Sequence, residues 1–503
     1  MRKRPDLESP ETLTHRPLDL VVQTRTYELI TPLYGGGVTP GEFDPLTPVR
    51  GSEIRGLLRF WWRATRGGNP AFEGDSKKMR RAEGALWGAA TVAGQSEAPN
   101  QHAAIQITIE VLSPGRERKP FLFQKKVNNR GKVTLETVFD EHTGLHPYVV
   151  FPLNLERTVL NRGNTFLRQR FGPEWSALGD RTALPGHLEE ALKKAGIHLH
   201  TVRQGVSFRL TLTFSAEEKE IVVEDSDEET GQAARTVRLN VRQEVEAALW
   251  AWETFGGIGA RTRRGFGALR LLKVGENETE TENKNLPTSN QLAEVKNWFG
   301  RNLRAYVAAG PWPKDVPHLE QALSYVPTKA EAEIAVSWYR LIEHYAAFRQ
   351  SRPKANHRGR SNWPEAEAIR DIVGYGYYDK LGHPERFPRA AFGLPIIFHF
   401  KDAERGDPPD MTLQGEKQGN ERLASPLILR PLACADGSST GLAAMLKGSR
   451  LPPLVLKEGE QLVKTGLNAQ LDQNDLALLS ELDDDCLDGE TDVLQAFLND
   501  LRR

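Results

Sequence analysis

The chain reads as an α+β protein whose first half follows a ferredoxin-like order and whose second half is a more helical, less regular α+β domain. Three observations predict this. Strand and helix periodicities run strand, helix, strand, strand, helix, strand between Leu18 and Val274, the split-βαβ order. The polar run GENETETENKN from Gly275 has no apolar period to bury and marks a linker. Beyond it, helical periods precede short β runs. The domains are therefore placed at 18–274 and 286–503, the first with an insertion at about 113–205 and a glycine-rich turn at 256–267.

The first strand begins near Leu18, in LDLVVQTRTYEL, which is rich in β-branched and aromatic residues. The stretch TPLYGGGVTPGEFDPLTPVRGS follows as a long loop. A helix is expected over Glu53 to Thr65 with Ser52 as its cap, and a short one over Arg80 to Ala90. Ile105, Ile107, Ile109 and Val111 alternate with polar residues as a half-buried strand, a pattern that Phe208 to Phe214 repeats. About a hundred residues separate these strands, long for a connection, which predicts an inserted subdomain or arm. A helix over Val237 to Thr254 buries Val241, Val245, Ala248, Leu249 and Trp252, and ALRLLKV from Ala268 closes the order. In the second half, helices are expected over Leu292 to Ala308 and Ala330 to Arg349, with strands in FGLPIIFHF and SPLILRPLA. LQAFLNDL reads as a docking helix on an acidic tether.

Charge bounds the function. Lys and Arg number 66 against 67 Asp and Glu, a net charge of -1, so no global field draws the chain to a polyanion. Any nucleic-acid surface arises from local segregation of charge. Cys434 and Cys486 are the only cysteines, which excludes a disulfide scaffold or cysteine-rich zinc site and suits a reducing, cytoplasmic location. No secretory signal follows Met1-Arg2-Lys3-Arg4, and no apolar run spans a bilayer, so no membrane partner is expected.

Three segments segregate positive charge. In SEIRGLLRFWWRATRG, Ile54, Leu58, Trp61 and Trp62 share one face, while Arg55, Arg59, Arg63 and Arg66 fall on an adjacent arc. Glu53 alone cannot neutralise that arc, so it faces either a polyanion or acids from elsewhere in the fold. In GGIGARTRRGFG, from Gly256, the glycines Gly257, Gly259, Gly265 and Gly267 permit a backbone anion nest beside Arg261, Arg263 and Arg264; the alternative is a structural turn. The segment has neither a Walker A ending nor a dinucleotide fingerprint. In the long connection, Lys125, Lys126 and Arg130 flank Asn128 and Asn129, and Arg157, Arg162, Arg168 and Arg170 follow. This suits phosphate and base-edge contacts, or an ordinary basic loop.

The segments TPLYGGG, VRGSEIRGLLRFWWRATRG and GIGARTRRGFGALRL resemble the RAMP superfamily, and are especially similar to the first-named RAMP subunit of the type III-B CRISPR effector (Cmr) complex. FGLPIIFHF and RLASPLILRPL fit the second half of that family, so the likeness spans both domains. The resemblance implies tandem ferredoxin-like (RRM-like, RAMP) domains with the glycine-rich turn against the first sheet. It also implies contacts with the 3′ region of guide RNA and with target RNA, and packing beside other RAMP subunits. The residues that carry over are Arg50, Arg55, Arg59 and Arg63, with the turn from Gly256 to Gly267. In that family target cleavage and nucleotide chemistry belong to other subunits, so no enzymatic activity and no cofactor are expected.

Two other classes stay open. His357, in KANHRGR, would serve as acid or base in a metal-independent RAMP-type processing nuclease. His198 and His200 have strand-like spacing but no third ligand nearby in sequence, and the acids of DSDEET and DDD lack rigid geometry, so no metal is expected. A protein-binding scaffold would instead turn the arginines of both motifs towards acidic protein surfaces.

Overall fold

The computed structural model describes residues 20–37, 41–44, 46–89, 103–129, 131–226, 233–276, 279–282, 285–351, 361–374, 385–400, 407–481 and 487–503. The first domain opens with β1 (Leu20–Leu29), α1 (Gly51–Arg66), α2 (Ser76–Trp87) and β2 (Gln106–Arg118). The connection at 119–201 holds β3 (Phe121–Val127), β4 (Val133–Phe139), α3 (Pro147–Val150), α4 (Arg157–Ala177) and α5 (Gly186–Lys194). The chain returns through β5 (Val202–Ser215), a hairpin of β6 (Glu218–Glu224) and β7 (Arg235–Asn240), then α6 (Val241–Phe255), β8 (Leu269–Glu276) and β9 (Thr279–Glu282).

The main sheet has the order β2-β5-β1-β8-β9, with every pair antiparallel. Without β9 this is the ferredoxin-like order that the alternation of elements predicts. Side chains alternate across β1, so Val21, Tyr27 and Leu29 enter the core beneath α1 and α6. Tyr27 stacks on Phe208 at 5.2 Å and meets Trp252 edge-on at 5.4 Å. From α1, Ile54, Leu58, Trp61 and Trp62 are buried as their spacing requires, each contributing roughly 1.5–3 kcal/mol. The opposite face carries Thr24, Thr26, Thr211 and Thr213, and its charges are paired as Arg270 with Glu28 and Arg209 with Glu110. The aromatic rings of the central strands lie on the helix side. This sheet therefore offers no stacking platform of the kind RNA-binding sheets use.

Several boundaries differ from the sequence expectation. The stretch from Val237 is β7, since Val237 and Leu239 are buried in alternation; the helix starts at Val241, where Asn240 Oδ1 accepts the Gln243 N–H at 3.0 Å. The N-cap of α1 is Arg50, and Ser52 lies exposed within the first turn. Asp75 caps α2, which starts before Arg80. Part of the polar linker pairs with β8 as the edge strand β9, because exposed Thr and Glu suit a solvent-facing edge.

The second domain contains α7 (Leu292–Tyr306), β10 (Tyr325–Glu331), α8 (Ile334–Gln350), α9 (Glu365–Ile372), β11 (Ile396–Phe398) and β12 (Met411–Gly415). It continues with β13 (Leu427–Ala433), β14 (Ser439–Met445), β15 (Leu454–Glu458), β16 (Gln461–Leu467), α10 (Gln473–Glu481) and α11 (Val493–Arg502). Ala330 thus ends a strand instead of opening a helix. The sheet β10-β14-β13 with α8 repeats the first three strands of a ferredoxin-like unit, and β11-β12-β15-β16 forms a separate sheet. The predicted docking helix is α11, whose Phe497 is fully buried against Tyr345, Phe348 and Phe392. No helix among the described residues is long and apolar enough to cross a membrane.

Candidate nucleic-acid interface

The start of α1 and the glycine-rich turn meet in space. The first intrahelical bond of α1 runs from Ile54 N–H to Arg50 O at 3.1 Å. The amides of Gly51, Ser52 and Glu53 therefore have no acceptor within the helix, and no side chain caps this end. Glu53 Oε1 accepts the Gly259 N–H at 2.8 Å, which ties the helix to the turn. Gly259 has φ +80°, and a Cβ there would lie 2.6 Å from Tyr34 O, so only glycine fits against the TPLYGGG loop. Tyr34 O accepts the Ala260 N–H at 2.7 Å, and the Arg50 guanidinium donates to Gly36 O.

The turn is not the open anion nest that its glycines suggest. Ile258 N–H donates to Gly267 O at 3.0 Å, Gly267 N–H to Pro32 O at 2.9 Å and Gly265 N–H to Thr262 O at 3.0 Å. Gly257 O accepts from the Trp252 indole at 3.2 Å. Protein acceptors take most of these amides, so the turn presents side chains, not a cradle of N–H groups.

Its three arginines take different directions. Arg264 is buried, donating to Leu427 O at 3.1 Å and Phe392 O at 3.0 Å with its guanidinium over Tyr345. Arg263 donates to Ser425 O at 3.0 Å and lies over Phe60; burial and then Arg264 push its pKa down to about 10. Both reach into the second domain, and Trp338 Nε1 donates back to Arg264 O at 2.9 Å. Gly265 packs so closely there that a Cβ would lie 2.4 Å from that indole nitrogen. Arg261, which like Arg263 is only partly buried, stands at φ +59° beside Tyr34 and Arg264. Burial, then Arg264, lowers its pKa. Among the described residues neither Arg50 nor Arg261 forms an ion pair, and the Nε of each is buried without a hydrogen-bond partner.

Three arginines of the α1 arc meet acids from elsewhere in the fold, one of the two alternatives its sequence leaves open. Arg59 Nε and Arg63 reach Glu83 Oε1 of α2 at 2.6 and 2.5 Å. Arg66 donates twice to Glu244 of α6, at 2.9 and 3.0 Å. Arg55 donates to Trp87 O at 2.7 Å and Arg59 to Gly88 O at 3.0 Å, so the arc also caps the end of α2. Sequence reading missed Glu244; the signal for it is its place among Val241, Val245 and Ala248 on the apolar face of α6, where an acid needs a buried partner. Glu83 sits on α2 in the same way.

In the insertion, Lys125 is buried: its ammonium donates to Ser176 O at 2.9 Å and to Leu178 O, so it braces α4 instead of facing solvent. Lys126 pairs with Glu136 at 3.0 Å. Arg130 and His357 lie outside the described residues. His198 and His200 line a cavity of about 520 Å³ with Phe43 and Lys193; His198 meets Glu42 at 3.2 Å, and burial lowers the pKa of His200. No group of three or more metal-ligating side chains is found among the described residues.

Residues 26–270 match the RAMP superfamily profile. No curated protein matches the chain. Among solved structures, Cmr1 from Pyrococcus furiosus in its apo form is similar at 14% identity and a TM-score of 0.43, covering 92% of this chain and 96% of that one. A type III-B Cmr-beta structure bound to cognate target RNA and AMPPnP in the presence of ssDNA aligns at 12% identity and TM-score 0.43, covering 96% and 99%. A second Cmr-beta structure, bound to cognate target RNA, aligns at 12% and 0.43, covering 95% and 99%.

Proposed function

We propose, from the match of residues 26–270 to the RAMP superfamily profile, that this chain is an RNA-binding, non-catalytic subunit of a type III-B CRISPR effector complex. Its partners are the 3′ region of guide RNA, target RNA and neighbouring RAMP subunits, and its subunit type is the first-named RAMP subunit of the Cmr complex. One observation carries this reading. Arg50 stands at the uncapped start of α1 and Arg261 on the turn that Glu53 and Tyr34 hold against it, and neither forms an ion pair among the described residues. A strand lying along this junction would gain a guanidinium fork for each of two phosphates, with the positive end of the α1 dipole beside Arg50. Such contacts recognise backbone and not sequence. The earlier candidates Arg55, Arg59, Arg63 and Arg66 contribute positive potential behind this point, partly offset by their acids.

The test is a titration of the full chain with single-stranded RNA at several salt concentrations, for wild type and for Arg50→Ala with Arg261→Ala. Affinity should fall steeply with salt, and the double variant should lose about 1.4 from the slope of log K against log salt, two phosphates at roughly 0.7 each. An unchanged slope in the double variant would remove these residues from the interface. Metal-independent cleavage of the RNA by the purified chain would move it to the processing-nuclease class.

A further inference from the structure

We propose that α4 and the end of α5, both within the insertion, form a second RNA-binding track, separate from the α1-turn junction. The inference rests on the RNA-binding reading above but on different residues. From Arg157 to Pro173, α4 carries four arginines and no acid. At ~100° per residue, Arg162 and Arg168 flank the side opposite buried Gly163 and Leu167, and Arg157 falls at its edge, next to buried Asn164. All three are exposed, and none forms an ion pair among the described residues. Between them on that side stand Asn161, Thr165 and Gln169, so the face combines guanidinium forks with amide and hydroxyl groups. No large apolar residue interrupts it, whereas the core of a protein interface needs such anchors. At 1.5 Å per residue the arginines are roughly 7.5 and 9 Å apart along the axis, steps that let separate phosphates of one strand be engaged.

Gly163 seats α4 against β4, since a Cβ there would lie 2.7 Å from Leu135, and leaves it in ordinary contact with Leu192 of α5. The last turn of α5 bears Lys193 and Lys194, both exposed and without an ion pair among the described residues. Lys193 also lines the cavity that contains His200, where Glu42, Glu117, Glu189 and Glu190 outnumber the lysines, so the basic surface ends at the rim of that cavity. Glu156 and Glu190 stand near these cations without pairing with them among the described residues. In a chain of net charge -1, such segregation marks a polyanion surface.

Labelled single-stranded RNA long enough to span both regions is titrated with the full chain across salt concentrations. The proteins are wild type, Arg157→Ala/Arg162→Ala/Arg168→Ala, the corresponding triple Lys variant, and Arg50→Ala/Arg261→Ala. Melting temperatures check that each variant is folded. The triple Ala variant is expected to lose about 2 from the salt slope, three phosphates at roughly 0.7 each, while the triple Lys variant keeps the wild-type slope. A wild-type slope in the folded triple Ala variant, with binding reduced only by Arg50→Ala/Arg261→Ala, overturns the track and leaves the junction standing. The same slope together with loss of a partner subunit assigns the face to protein and also overturns it. Absence of RNA binding by the wild type at low salt overturns both readings.

Discussion

Glu53 Oε1 accepts the Gly259 N–H at 2.8 Å, joining residues 206 apart in the chain and fixing the start of α1 against the glycine-rich turn. The other carboxylate oxygen of Glu53 is buried without a hydrogen-bond partner, and Arg50 is close enough to favour its charged form. Burial outweighs that attraction and holds the carboxyl above its ordinary value. The contact thus positions Arg50 and Arg261 relative to each other while keeping a carboxylate in an unfavourable place.

Glu53→Ala should cost about 1–3 kcal/mol, because the Gly259 amide loses its acceptor. RNA affinity should fall with it, since the turn loosens. The pH dependence has a definite sign. Between the ordinary value of 4.5 and the raised folded value, the folded state binds more protons than the unfolded one, so stability falls as pH rises through that window. Glu53→Gln does not titrate. The stability of wild type relative to Glu53→Gln should therefore decline over that window and then level off, as followed by urea denaturation at successive pH values.

Arg261 and Arg264, three residues apart, should separate binding from stability. Arg261→Gly removes a desolvated cation from a left-handed position that glycine adopts freely. Its melting temperature should hold or rise, while the RNA salt slope falls by about 0.7. Arg264→Ala leaves Leu427 O and Phe392 O without their donor, at about 1–3 kcal/mol each. Its melting temperature should drop whether or not RNA is present. A selective loss of RNA binding by a fully stable Arg264→Ala would contradict this assignment.

The paired arc of α1 gives a third expectation. Glu83, only 4% exposed at its side chain, receives both Arg59 and Arg63, whose own side chains are 31% and 30% exposed. Removing both arginines strands a buried carboxylate, at about 3–5 kcal/mol. Glu83→Ala leaves two guanidinium groups that still reach water, and should cost about 1–3 kcal/mol. Denaturation curves of the two variants should show this asymmetry, with the larger loss for the double arginine variant.

How far the sequence reached can be judged from these same residues. Periodicity placed Ile54, Leu58, Trp61 and Trp62 on one buried face and gave the order of the first sheet, because both depend on local spacing. It did not reveal what silences the arginine arc, since Glu83 and Glu244 lie 24 and 178 residues from the arginines they hold. The partners of Arg263 and Arg264 are backbone carbonyls of Ser425, Leu427 and Phe392, which no composition reports. The β7 strand was misread because Val237, Val241 and Val245 also fit a helical period, and only the burial of Leu239 and the Asn240 cap separate the two patterns. Proximity of α1 and the turn was legible from the ferredoxin-like order; the carboxylate that makes the contact was visible only as an isolated acid.

Arg430 provides the last prediction, and it concerns how the two domains stay together. It lies on β13, is 1% exposed and forms no ion pair among the described residues. Its guanidinium donates to Glu253 O at 2.7 Å, Gly256 O at 2.8 Å and Leu269 O at 2.9 Å. The first two carbonyls close the C-terminal end of α6, where a cation is favoured by the helix dipole, and Gly256 opens the glycine-rich turn. Burial lowers the pKa of this arginine, with Glu253 opposing that effect. Arg430→Met fills similar space but leaves three carbonyls without their donor, at about 1–3 kcal/mol each. The loss falls where β13 meets α6 and β8, so the melting temperature should drop below that of the wild type. Calorimetry reads this directly. A transition at the wild-type temperature would mean that the apolar contacts between the domains hold them without the arginine.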